Sequence, residues 1–340
     1  MMKISVTSIS CDLTDTDLKQ MSQLGVDCID FGIGSSFPGV KEQGYPDLDR
    51  VLKLKKKVRS WGLDINRVTL PDLTDTFIRD LPGAEKELEN ARNAVKVFGE
   101  AGIPIVRQRF AGDVDPVLTT GYPAYHRGGA IARGESLGLT SNKPAYPTFE
   151  EKERWWARFN EAFKALLPIA EDYNVKLTIH PSDTPNHETA FNGLGMHRVI
   201  DTFPSKNVGF VYCIGTRAEE GGSSLVLDEI NHYGRKGRIF LVHFRNVRGS
   251  LATAGAFEEA MLDDGDLNMF KLLLELHKVG YDGCLNPDHY LQMEGDTVQL
   301  DDKWKHSAIG WASSGICCAY SIGYIRAMLT ALAEFTGRRW

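Results

Sequence analysis

Eight times along this chain an apolar run of strand length is followed by a helical pattern. That alternation limits the fold more than any other feature. The runs are KISVTSI, VDCIDFGI, LDINRVTLP, IPIVRQRFAGD, VKLTIH, VGFVYCI, RIFLVHFRNV and YDGCLNPDHY. Between the first two stands TDTDLKQMSQLG, with capping residues, an apolar face at Leu18, Met21 and Leu24, and a closing glycine. Eight β→α units in series imply parallel strands joined by crossovers. VGFVYCI and RIFLVHF are nearly continuous apolar runs, as in sheets covered on both faces. A (β/α)8 TIM barrel takes about 250 residues, and the 340 here leave room for more. A doubly wound sheet is the rival, but SISCDLTD stands where its Gly-rich phosphate loop belongs. We therefore expect one domain over 1–340, with loop insertions at about 112–148 and 248–266 and an extended C-terminal helix within 307–335.

Bulk properties exclude several classes. A net charge of -6 offers no basic face for nucleic acid and no attraction to an anionic membrane. MMKISVTSISCDLTD has no apolar signal core, and no stretch is expected to reach the 18–20 apolar residues of a membrane span. Six scattered cysteines without CxxC spacing suggest no disulfide framework. A cytoplasmic protein is the expectation, and an anionic substrate would need local cations to bind it.

In a (β/α)8 barrel the active site lies at the C-terminal ends of the strands. Those ends carry His180 and Asp183 in IHPSD, Cys213 in YCIGT, His243, Arg245 and Asn246 in VHFRN, and Asp288 and His289 in NPDHY. Strand four ends with Arg107 and Arg109. Singly, each has a plain structural explanation: a core histidine, a packed cysteine, a turn-capping aspartate. Jointly, four consecutive strands end in His, Cys, His and Asp, all types that bind divalent metals. Strand alternation puts Lys176, Thr178 and His180 on one face, Gly209, Val211 and Cys213 on one, and Ile239, Leu241 and His243 on one. If those faces line the interior, His180, Cys213, His243 and Asp288 converge. Mixed imidazole, thiolate and carboxylate donors suit Mn²⁺, Zn²⁺, Fe²⁺ or Co²⁺ better than Ca²⁺ or Mg²⁺. The 112–148 insertion, with Tyr122, Tyr125, His126 and Arg127, reads either as a lid supplying substrate contacts or as a surface excursion.

IHPSDTP, VYCIGT, RIFLVHFRNV, FEEAMLDDGDLNM and GYDGCLNPDHY together resemble the mannonate dehydratase family of xylose-isomerase-like TIM barrels. The likeness is best over 145–295. It implies a catalytic Mn²⁺ held by His180, Cys213, His243 and Asp288. It implies proton transfer by His289, with Arg245 acting in catalysis and Asn246 binding substrate. Glu259 is retained from the family's stretch, where Glu258 and Met261 replace histidines. Arg109, Tyr125 and Arg127 complete the expected substrate contacts. The implied reaction is β-elimination of water from D-mannonate to 2-keto-3-deoxy-gluconate, in carbohydrate and glucuronate catabolism. A homo-oligomer is expected. Trp311 stands where the family carries a second acid/base Tyr, and an indole N–H cannot exchange a proton near neutral pH. Tyr290, Tyr320 and Tyr324 are the nearby substitutes. The alternative activity is a metal-dependent sugar isomerase or epimerase on the same barrel, which would lose no water.

Overall fold

The computed structural model describes residues 2–296, 308–309, 311 and 315–337. Its strands in chain order are β1 Lys3–Ser8, β2 Cys28–Phe31, β3 Asp64–Thr69, β4 Ile105–Arg107, β5 Thr120–Tyr125, β6 Ile131–Ser136 and β7 Lys176–Ile179. There follow β8 Val208–Cys213, β9 Ile239–His243, β10 Asn246–Ser250, β11 Ala256–Ala260, β12 Cys284–Asn286, β13 His289–Tyr290 and β14 Ala308–Ile309. Eight of them close a parallel barrel in the order β1-β12-β9-β8-β7-β4-β3-β2. Helices follow the strands and cap themselves with their own side chains. Thr14 and Asp17 form a capping box at Asp15–Gln23, and Thr148 and Glu151 another at Phe149–Asp172.

The alternating faces sort as the pattern requires. Cys28, Ile105, Val211, Leu241 and Cys284 form an apolar cluster of their own inside the barrel. Two residues further along the same strands come Asp30, Arg107, Cys213, His243 and Asn286. The barrel therefore has a dry lower layer and a polar upper layer, which is the mouth. A ladder of hydrogen bonds crosses that upper layer. Asp30 accepts from Ser5 Oγ at 2.5 Å and from Asn286 Nδ2 at 2.7 Å. Asn286 in turn accepts the Asp288 backbone N–H at 2.9 Å.

The two insertions are not independent. β5 and β6 pair as an antiparallel hairpin, β10 and β11 as another, and β6 pairs with β11. They make one four-stranded sheet, β10-β11-β6-β5, beside the barrel mouth. All six cysteines are free and buried. The tail corrects one expectation. The helix Ile316–Thr336 has 21 residues and a mean hydropathy of 1.5, enough by length and composition to cross a membrane. Half of it is buried in this fold, and Arg326 within it lies 3.5 Å from Asp27 at the start of β2. Residues 307, 310 and 312–314 of the expected tail lie outside the described residues.

Candidate active site

Three consecutive barrel strands, β7, β8 and β9, end side by side at His180, Cys213 and His243. Their donor atoms all lie within 4.8 Å of one another, and all three residues are buried. Each is held from outside. His180 places Nδ1 2.6 Å from the Pro181 carbonyl, which leaves Nε2 facing His243 Nδ1 at 3.2 Å. Cys213 ends β8 and caps the helix Ile214–Arg235, accepting from the Thr216 N–H at 3.4 Å and its hydroxyl at 3.1 Å. Arg245 adds Nε at 3.3 Å and a terminal nitrogen at 3.1 Å to the same sulfur. Gly215 makes this possible, because a Cβ there would lie 2.7 Å from the Arg245 guanidinium carbon.

Asp288 completes the group from the far side. It sits two residues past β12 with φ +58°, a left-handed conformation in which aspartate is more at ease than most residues. The Asn286 side chain holds its N–H there. Its Oδ2 lies 3.0 Å from His243 Nδ1 and 3.3 Å from His289 Nε2. His289 places Nδ1 2.7 Å from Glu259 Oε1, so each ring nitrogen faces a carboxylate.

Burial governs the charges. It drives His180 well below its ordinary value, with Arg107 and His243 adding to the effect, and it lowers His243 as well. Both shifts favour the neutral rings that can act as ligands, although Asp288 pulls His243 the other way. Burial pushes the Cys213 thiol up to about 12 against the pull of Arg245. Asp288 is also penalised by burial, but His243, His289 and Arg245 outweigh that and hold it well below the carboxylate range. Two neutral imidazole nitrogens confront each other at 3.2 Å beside a sulfur with four donors aimed at it. The His243 Nε2 atom is buried without a hydrogen-bond partner among the described residues. This donor set fits a divalent cation of intermediate softness.

Around the cluster runs a ring of buried ions. Arg245 donates to Glu219 Oε1 at 3.0 Å, to Glu259, and to Thr216 Oγ1 at 2.8 Å. Arg133, from β6 of the first insertion, reaches Asp183 at 2.9 Å and Glu135 at 3.1 Å. Glu259 comes from β11 of the second insertion. Burial and the neighbouring Asp183 raise Glu219 well above the carboxylate range, against Arg245 and Arg133. Arg133 and Glu219 were not singled out from the sequence. Arg133 sits in a Gly-rich stretch, and Glu219 in an acidic run that reads as a solvated face. A buried charge pair leaves no local pattern.

The other expected contacts lie elsewhere. Asn246 is buried and fully engaged. It donates to the Leu262 and Leu267 carbonyls at 3.0 and 3.2 Å and accepts from the Val247 and Leu267 N–H groups. Its geometry pins the 262–267 segment. Arg109 lies 3.7 Å from Asp72 and is partly exposed. Tyr125 is 71% exposed on the edge strand β5. Arg127 pairs with Asp263 at 2.6 Å and approaches Tyr320 at 3.5 Å. None of these three is brought to the cluster. Trp311 is buried and donates from Nε1 to Asp17 at 3.1 Å.

Barrel and cluster together define a TIM barrel with a group of potential metal ligands at its mouth. The family model described as D-mannonate dehydratase (UxuA) matches residues 139–338, and the chain belongs to that family. Mannonate dehydratase 2 of Halalkalibacterium halodurans is 23% identical over 293 residues, covering 78% of this chain and 85% of the relative. The mannonate dehydratase of Streptococcus suis is 27% identical over 295 residues, covering 76% and 77%. The crystal structure of mannonate dehydratase from Streptococcus suis serotype 2 superposes with a TM-score of 0.81 at 22% identity, covering 100% of this chain and 95% of that one. A D-allulose 3-epimerase from Methylomonas shares the barrel at a TM-score of 0.57 and 14% identity, covering 96% and 98%.

Proposed function

We propose that this protein is a metal-dependent hydro-lyase that dehydrates D-mannonate to 2-keto-3-deoxy-gluconate. The observation that carries the reading is the buried His180–Cys213–His243 cluster at adjoining strand ends, in a chain of the mannonate dehydratase family. The family places dehydration ahead of isomerisation.

His180, Cys213, His243 and Asp288 would hold the cation, with Mn²⁺ as our choice. When bound, it supplies positive charge that offsets the charge building up as the proton beside the carboxylate leaves. The rest is done by side chains. Glu259 takes the His289 Nδ1–H, which fixes the ring and leaves Nε2 to take or give a proton at the substrate. Arg245 touches the sulfur and two carboxylates, so it acts by positioning Cys213 and Glu259. The sheet shared by the two insertions carries Arg133 and Glu259 and walls the mouth from solvent. With six free cysteines, a reducing cytoplasm suits the chain.

The test is protein purified without chelator and incubated with D-mannonate. One equivalent of transition metal is expected, with a product lighter by one water. Metal at full occupancy with no dehydration of D-mannonate would sink this reading. A product of unchanged mass would move the chain to the isomerases.

A further inference from the structure

The barrel holds two arginines that the site described above leaves unused. Arg107 is the last residue of β4. It shares the inward face with Ile105, pairs with Thr69 of β3 on one side and with Thr178 of β7 on the other, and so sits beside His180. Its buried Nε has no hydrogen-bond partner. Among the described residues it makes no ion pair either. Asp113 and Asp288 are its nearest counter-charges, and neither comes within ion-pair distance. Arg67, inward on β3, is fully buried. Among the described residues it donates only to neutral acceptors, the Phe31 carbonyl at 3.2 Å and Thr69 Oγ1 at 2.8 Å, and its Nε is also unpartnered there.

Other buried arginines of this chain have their charge met by carboxylates or carbonyls. Arg133, Arg217 and Arg245 each meet carboxylates at about 3 Å, as Arg217 does with Glu229 at 2.8 Å through two nitrogens. Arg238 meets three backbone carbonyls. Arg107 is half-buried, with its Nε fully enclosed; a guanidinium so placed without an anion is costly, and a planar carboxylate matches its fork. In the closed order β1-β12-β9-β8-β7-β4-β3-β2, β4 stands four strands from β12 and therefore directly across the mouth from Asp288 and His289. A sugar acid with its carboxylate at β4, beside His180, would lay the adjoining carbons over the His180–Cys213–His243 cluster and toward His289.

We propose that Arg107, backed by Arg67, seats the substrate's carboxylate, and that this seat selects acid over neutral sugars and fixes the direction in which the chain of carbons crosses the mouth. Burial, with Arg109 and Arg67 nearby, lowers Arg107 to about 10, as an unmet cation should be. The choice of a sugar acid as ligand rests on the dehydratase reading; the choice of residue does not.

The experiment compares wild-type, Arg107→Gln and Arg107→Lys holoenzymes for binding of D-mannonate and of D-mannitol, its uncharged polyol counterpart. Metal content, melting temperature and product mass are measured alongside. Wild type should prefer the acid. Arg107→Gln should weaken D-mannonate by on the order of 10- to 100-fold, with little change for D-mannitol. Arg107→Lys should fall between, since it keeps charge and loses the fork. Metal content should hold, and the melting temperature should be unchanged or raised. Equal binding of acid and polyol by wild type overturns the seat, as does Arg107→Gln binding like wild type. Loss of both ligands together with metal and stability also overturns it, by showing a structural role. Acid selectivity without dehydration would remove the dehydratase reading and leave the seat, and dehydration with an unaffected Arg107→Gln would do the reverse.

Discussion

Arg245 and Arg107 are both guanidiniums at strand ends of one barrel mouth, yet their surroundings are opposite. Arg245, just after β9, is enclosed by Glu219, Glu259 and the Cys213 sulfur, and those acceptors hold its charge firmly in place against burial. Arg107, at the end of β4, has an Nε without a hydrogen-bond partner and no ion pair among the described residues. One wall of the mouth is thus complete in the protein alone, and the other is complete only with a ligand. Groups that build a site are internally satisfied, and groups that wait for substrate are left in debt.

The sharpest way to break this comparison is to make the same substitution on both walls. Arg245→Gln leaves Glu219 and Glu259 without their counter-charge and should cost about 3–5 kcal/mol in denaturant unfolding. It should also lower metal content by stripping two donors from Cys213. Arg107→Gln in the same assay should leave stability unchanged or higher. Equal losses would erase the distinction.

Acid probes the His180–His243 wall directly. His180 and His243 both fall below 6.5 in the fold, so they stay neutral while the unfolded chain's imidazoles protonate near 6.5. Their contribution is fully present above about 6.5 and declines as the pH falls below it, by up to about 1.4 kcal/mol per pH unit for each ring. Chelator-treated protein should therefore lose stability from pH 7 to 5, and His180→Asn should flatten the slope. A flat wild-type profile in that window would contradict the neutral pair.

Asn246 sharpens what "site residue" means. Asn246→Ala removes four hydrogen bonds to backbone and should cost about 2–3 kcal/mol, while KM for D-mannonate stays put. A raised KM without lost stability would restore it as a substrate contact. The smallest effect should come from Arg127→Ala. Its pair with Asp263 is half exposed and is worth less than about 1 kcal/mol, with turnover unaltered.

Much of the barrel was legible because it is written locally. Period-2 apolar runs and capped helices follow from neighbours a few residues apart, and strand alternation alone placed His180, Cys213 and His243 on the inner face. Glu259 and His289, singled out through the family resemblance, lie beside that cluster. Three things were not legible. The pairing of Ala256 with Ser136 joins the two insertions, and no short-range pattern encodes a register between distant strands. Arg133 and Glu219 look like surface charges until the chain closes over them. Asn246 follows the metal-ligating segment so closely that proximity in sequence suggested a shared task, yet its amide turns to the 262–267 backbone. There Gly265 leaves room for it, since a Cβ would meet Asn246 Oδ1.

The sheet β10-β11-β6-β5 has a consequence for how such proteins diverge. Each insertion supplies half of a structure that neither can build alone, and each meets side chains of the other: Tyr122 and His126 reach Glu258, and Arg127 reaches Asp263. Exchanging one segment between two relatives would leave Glu258 and Asp263 facing foreign partners. The pair therefore travels as one heritable module, and a designer who wishes to graft this mouth onto another barrel must move both pieces together.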